Sequence, residues 1–174
     1  MNETNHAIPA FRELTRSWYR AKYRDAWLCL GCGSVNRPRE KGRFDYIISI
    51  SGRMGFVEVK AGDTNLPMNT IEDSQREWYK LTHQLSGAWY GLFFMLGFPE
   101  EDERAFDYPK AAYLLSWPQW LAIEEVYKPT RKSIPYNAPE LAQYSLIWVK
   151  GKGWDFPEGH PFIDYFEVYD DNIR

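Results

Sequence analysis

Residues 43–62, RFDYIISISGRMGFVEVKAG, constrain the fold more than any other stretch of the chain. Two runs rich in Ile, Val, Phe and Tyr flank a Ser-Gly pair, and such runs around such a pair read as a β-hairpin. With Ser51 and Gly52 as the turn, facing positions sum to 103 and Asp45 stands opposite Glu58. With Gly52 and Arg53 as the turn the sum is 105, and Asp45 stands opposite Lys60. Side chains alternate between the two faces of a sheet, so either register keeps Asp45, Glu58 and Lys60 on one face. Only a turn of odd length would separate them.

Two facing carboxylates about 5 Å apart repel, and a hairpin that places them so needs a compensating charge. A divalent cation supplies one, because Mg²⁺ takes hard oxygen ligands and is commonly held by one or two carboxylates with water and phosphate. Such an ion polarises a phosphate oxygen and lowers the pKa of a bound water. Lys60, two residues beyond Glu58, is placed to orient that water or to stabilise the charge that develops. The plainer alternative is a solvent-facing hairpin in which Lys60 pairs with outward acids. The apolar character of both strands argues instead for a central sheet with an inward polar cluster.

The rest of the chain supplies partners for that hairpin. Residues 9–23 place Phe11, Leu14, Trp18 and Ala21 at helical spacing after Pro9, which predicts an amphipathic first helix. Residues 25–32 read as a short strand and 33–42 as a basic loop. Residues 70–85 have helical periodicity, with Thr70 or Asp73 as the cap, and 88–98 form an apolar run of strand length. An acidic loop, 99–109, leads to a strand at 111–117 and a short helix after Pro118. Residues 144–154 and 162–170 look strand-like among several prolines. The order predicts one α/β domain over 1–174, a mixed β-sheet flanked by helices with its core at about 9–127 and a C-terminal extension at 128–174.

With 174 residues and 44% hydrophobic content, the chain can bury a core of its own. The net charge of −3 excludes indiscriminate coating of nucleic acid, but residues 12–60 hold eleven basic against five acidic side chains. A basic face is what phosphate contacts require. Cys29 and Cys32 make a single CxxC without a second pair, which reads as two reduced thiols rather than structural zinc. No apolar run reaches membrane-spanning length and the N-terminus lacks a secretory pattern, so the expectation is a cytoplasmic protein with no membrane partner.

Asp45 followed by Glu58-Val59-Lys60, with a helical Gln75 beyond, resembles the core of the PD-(D/E)XK nucleases. Residues 65–96 and the later AAYLLSWPQWLAI are similar to the corresponding stretches of RecU-type Holliday junction resolvases, so the likeness covers about residues 42–125. Phe44 stands where the family's motif carries its proline, and the C-terminal third has no counterpart in the likeness. The resemblance implies a restriction-endonuclease-like sheet and a Mg²⁺ (or Mn²⁺) ion held by Asp45, Glu58 and the Val59 carbonyl. It implies Lys60 as the catalytic lysine, Gln75 as its support and Glu13 as an accessory acid on the first helix. Arg16, Arg20, Arg37, Arg39, Lys41 and Arg43 are the candidate DNA contacts. The activity expected is an endonuclease cutting branched DNA as a homodimer. The alternatives are a duplex- or flap-cutting nuclease of the same superfamily, and a non-catalytic DNA-binding protein on that fold.

Overall fold

The computed structural model describes residues 6–16, 19–22, 44–50, 53–83, 89–97 and 111–163. Strands β1 (Tyr19–Lys22), β2 (Tyr46–Ile50), β3 (Arg53–Gly62), β5 (Trp89–Leu96) and β6 (Ala111–Ser116) form one mixed sheet in the order β1-β2-β3-β5-β6. β3 pairs antiparallel with β2 and parallel with β5, and β5 pairs antiparallel with β6. Tyr46 faces Val57 and Ile50 faces Arg53, the register that sums to 103; the ladder ends at Tyr46, and Asp45 lies just beyond it. β5 is buried at every position, as expected of a strand covered on both faces.

Alternation sorts the core into two layers. One face carries Tyr90, Leu92 and Phe94 with Tyr113, Leu115 and Trp117, covered by helices α2 (Asp73–His83) and α3 (Trp117–Tyr127). Glu58 and Lys60 belong to this face, because they alternate with Val57 and Val59. The opposite face carries Tyr46, Ile48, Val57, Val59, Phe93 and Leu114. Helix α1 (Ile8–Leu14) covers it, packing Phe11 against Tyr46 and Phe93 with ring centroids 5.2 and 5.3 Å apart. Trp154 of the hairpin β8 (Ile147–Val149) and β9 (Gly153–Asp155), together with Phe162, completes that layer. Gly91 is required here: a Cβ at this position would lie 1.9 Å from the Trp89 ring.

The first helix is shorter than its periodicity predicts. It ends at Leu14, where the Thr15 hydroxyl and Thr15 N–H both donate to the Phe11 carbonyl. A Thr that back-bonds to the preceding turn satisfies that carbonyl locally and favours a stop. Tyr19–Lys22 then pairs with β2 as an edge strand, so tertiary pairing overrides the helical spacing of the later residues. Trp18 and the predicted strand at 25–32, with Cys29 and Cys32, lie outside the described residues.

The helix predicted after Pro118 starts one residue earlier. Ser116 and Gln119 form a capping box, with the Ser116 N–H donating to Gln119 Oε1 at 2.7 Å. A short antiparallel pair, β4 (Asn65–Pro67) with β7 (Ser133–Pro135), ties the segment before α2 to the segment after α3. Within 144–154 the chain makes a hairpin rather than one strand, turning through Gly151 and Gly153 at positive φ. Residues 161–163 form a helical turn where a strand was expected, and 164–174 lie outside the described residues. Among the described residues no helix is long and apolar enough to cross a membrane.

Candidate active site

Glu58 sits in the middle of β3 and is 4% exposed. The pairing that buries it is parallel to β5, opposite Leu92, in the covered part of the sheet. A carboxylate in such a place needs donors, and it has two. Lys60 Nζ lies 2.6 Å from Glu58 Oε1, and Gln75 Nε2 donates to the same oxygen at 2.6 Å. Lys60 reaches it because residues two apart on a strand share a face.

Gln75 is held from the other side as well. Its Oε1 accepts the Glu72 N–H at 3.0 Å, just before the first turn of α2. The helix N-terminus has N–H groups without intrahelical partners, and the Gln75 side chain satisfies one of them. With its oxygen committed to Glu72, its NH₂ group is left to face Glu58. Arg76, the next residue, fixes the helix against α3. Its guanidinium bonds both oxygens of buried Glu124 at 2.7 Å and also donates to the Met68 carbonyl.

Asp45 lies at the end of β2, where the ladder stops. Its N–H donates to the Val57 carbonyl, and its Oδ2 accepts the Val59 N–H at 2.9 Å. The carboxylate thus replaces the main-chain partner that Val59 would otherwise lack. Strand residues turn their N–H and C=O to the same side, so the Val59 carbonyl points to the edge at which the Asp45 carboxylate sits.

The electrostatics follow from this packing. Burial pushes the Glu58 carboxyl up to about 7, and the negative charge of Asp45 pushes in the same direction. The Lys60 ammonium and the Gln75 hydrogen bond oppose the rise without cancelling it. Tyr79, one turn along α2 from Gln75, has its phenol held well above its ordinary pKa, first by burial and then by the charges of Glu58 and Asp45. Among the described residues its buried hydroxyl has no hydrogen-bond partner, while its ring stacks on Trp117 at 4.5 Å.

The donor set suits a small hard cation. Among the described residues no three His, Cys, Asp or Glu side chains group to hold a metal ion. The oxygens that could hold such an ion are the two carboxylates and the Val59 carbonyl, a set that Mg²⁺ accepts when water completes the shell. The mutual repulsion of Asp45 and Glu58 is the physical signature that a cation would relieve.

Other candidate residues lie elsewhere. Glu13 is on α1, which covers the opposite face of the sheet; it is exposed, pairs with Arg16 at 3.5 Å and lies over Gly153. The structure does not bring it to Glu58. Arg16 lies with it at the end of α1, and Arg20 lies on β1 rather than on a helix. Arg37, Arg39, Lys41 and Arg43 fall outside the described residues. Sequence reasoning missed Tyr79 and Arg76, although both follow from placing Gln75 on a helix: one is its neighbour and the other its i+4 partner.

No protein-family model matches the chain, and no curated protein matches it.

Proposed function

We propose that the chain is a Mg²⁺-dependent DNA endonuclease on a restriction-endonuclease-like fold, resolving four-way junctions as a homodimer. The observation that carries the reading is Glu58: a buried carboxylate, raised to about 7, set beside Asp45 and held by Lys60 and Gln75 on a single oxygen. A cluster so costly to bury needs a purpose beyond stability, and perturbed carboxylates of this kind gather at functional sites. The order Asp45, Glu58-Val59-Lys60 and Gln75 is also that of the PD-(D/E)XK nucleases.

In phosphodiester hydrolysis water adds to phosphorus, one P–O ester bond breaks, and the leaving oxygen takes up a proton. Asp45, Glu58 and the Val59 carbonyl would hold the cation, which supplies Lewis acidity and neutralises charge on the phosphate. Lys60 sits beside Glu58, where it would orient the attacking water and balance charge on the oxygens around phosphorus. Gln75 holds the Glu58 carboxylate in one rotamer from a helix that Arg76 fixes in place. Resolution needs two symmetric nicks, which two copies related by a two-fold axis supply from identical sites.

The test is incubation of purified protein with a synthetic four-way junction, with and without Mg²⁺. Metal-dependent nicking that disappears in Asp45→Ala is expected. Absence of nicking by the wild type, or full nicking by Asp45→Ala, overturns the reading. Duplex and flap substrates at matched salt decide the substrate: stronger cleavage of either removes the junction from the proposal and leaves the nuclease.

A further inference from the structure

Between the start of α2 and the end of α3 lies an open cavity of about 790 Å³. Its α3 side carries Lys128, Arg131 and Lys132, all exposed. Its α2 side carries Glu72 and Asp73, and its floor contains the Arg76–Glu124 pair, whose charges satisfy each other. Lys128 has only a loose contact with Glu125, 3.8 Å away on the surface. Arg131 and Lys132 form no ion pair among the described residues. The α3 wall alone is basic, in a chain whose net charge is −3 and whose residues 88–174 hold more acids than bases.

The backbone of this wall is tied into the fold. The turn after α3 is closed by bonds from Lys128 N–H to the Glu124 carbonyl, and from the Thr130 and Arg131 N–H groups to the Tyr127 carbonyl. It is then latched to the segment before α2, because the Met68 N–H donates to the Lys132 carbonyl and β7 pairs with β4. That segment leads into Glu72, whose N–H is held by Gln75, whose amide holds Glu58. The backbone that carries the three cations is thus linked to the candidate active site by a run of hydrogen bonds.

Resting on the nuclease reading, we infer that Lys128, Arg131 and Lys132 form a phosphate-binding strip that seats the DNA backbone flanking the cleaved bond. Arg131 and Lys132, which form no ion pair among the described residues, and Lys128, whose contact with Glu125 is loose, keep their charge for an external polyanion, and the open cavity between the helices has room for a backbone. Glu72 and Asp73 repel phosphate from their own wall, which directs the strand to the α3 side. The strip gives the DNA a track across the α2–α3 face of the protein.

The experiment measures binding of a fluorescein-labelled four-way junction by anisotropy, in EDTA, over a range of salt concentrations. Neutralised phosphate contacts each add about 0.9 to the slope of log affinity against log salt. The combined Lys128→Ala, Arg131→Ala, Lys132→Ala variant is therefore expected to flatten the slope by about 2.7, so that from 50 to 200 mM salt the wild type loses about 40-fold more affinity than the variant. Lys150→Ala with Lys152→Ala, on the hairpin of the opposite face, is expected to leave the slope close to that of the wild type. Circular dichroism of each variant checks that it is folded, and Gln replacements at the same three positions are expected to repeat the result. An unchanged slope in the triple variant, or a slope carried by Lys150 and Lys152, overturns the strip and leaves the nuclease reading standing. Binding with the expected slope change but no cleavage with Mg²⁺ supports the strip and removes the nuclease. A wild type that does not bind DNA at all overturns both.

Discussion

Replacing Glu58 with Gln removes a charge from the centre of the cluster and nearly preserves its shape. The amide oxygen can still accept from Lys60 and Gln75. In the folded protein the Glu58 carboxyl is raised from 4.5 to about 7, chiefly by burial and next by Asp45. The folded state therefore holds the proton more tightly than the unfolded chain does. Stability from this group is fully present below about pH 4.5 and is lost as the pH rises through 7. At 1.36 kcal/mol for each pH unit the loss amounts to about 3 kcal/mol by pH 8. The Gln variant has no such proton to lose. Urea denaturation at stepped pH should show the two proteins nearly equal near pH 4.5 and the variant more stable by about 3 kcal/mol near pH 8. Mg²⁺ at pH 8 should restore part of the gap in the wild type and none in the variant, since only the wild type presents both carboxylates. Two stability curves that run parallel from pH 4.5 to 8 would refute the claim that Glu58 is buried against its own charge.

Two further changes test the support around the site. Tyr79→Phe removes a buried hydroxyl that has no partner among the described residues while keeping the ring on Trp117, so its thermal midpoint should equal or exceed that of the wild type; a large loss would show that the hydroxyl is bonded. Arg76→Lys cannot reproduce the two-pronged contact with Glu124 or reach the Met68 carbonyl as well. It should lose about 2–4 kcal/mol by urea denaturation, a cost close to that of breaking a buried pair.

Much of the site was legible because a hairpin is a local object. The register that pairs Tyr46 with Val57, next to Asp45 and Glu58, depends only on turn length and on which faces are apolar, and both are written within twenty residues. The same holds for Gln75, since a helix one turn long already places it near its own N-terminus. What sequence could not reveal was which side of the sheet each distant helix would cover. Glu13 lies on a helix with a convincing apolar stripe, but Phe11 carries that stripe to Tyr46 and Phe93 on the face away from Glu58. The end of α1 was missed because Tyr19–Lys22 satisfies both a helical and an extended pattern, and only its pairing with β2 decides between them. The basic turn at 128–132 was hidden for a different reason. Summed over residues 88–174 the charge is acidic, and the average erased a cluster that the fold keeps together.

The double commitment of Gln75 leaves that position little chemical freedom. Glu there would face Glu58 with a second carboxylate. Lys would satisfy Glu58 but have no acceptor for the Glu72 N–H. Asn has both groups but is a methylene short of spanning the gap. The side chain must be a donor at one end, an acceptor at the other, and of this length. A single amide therefore acts as a keyed part: it fits one way round, and a change that suits one of its neighbours fails the other.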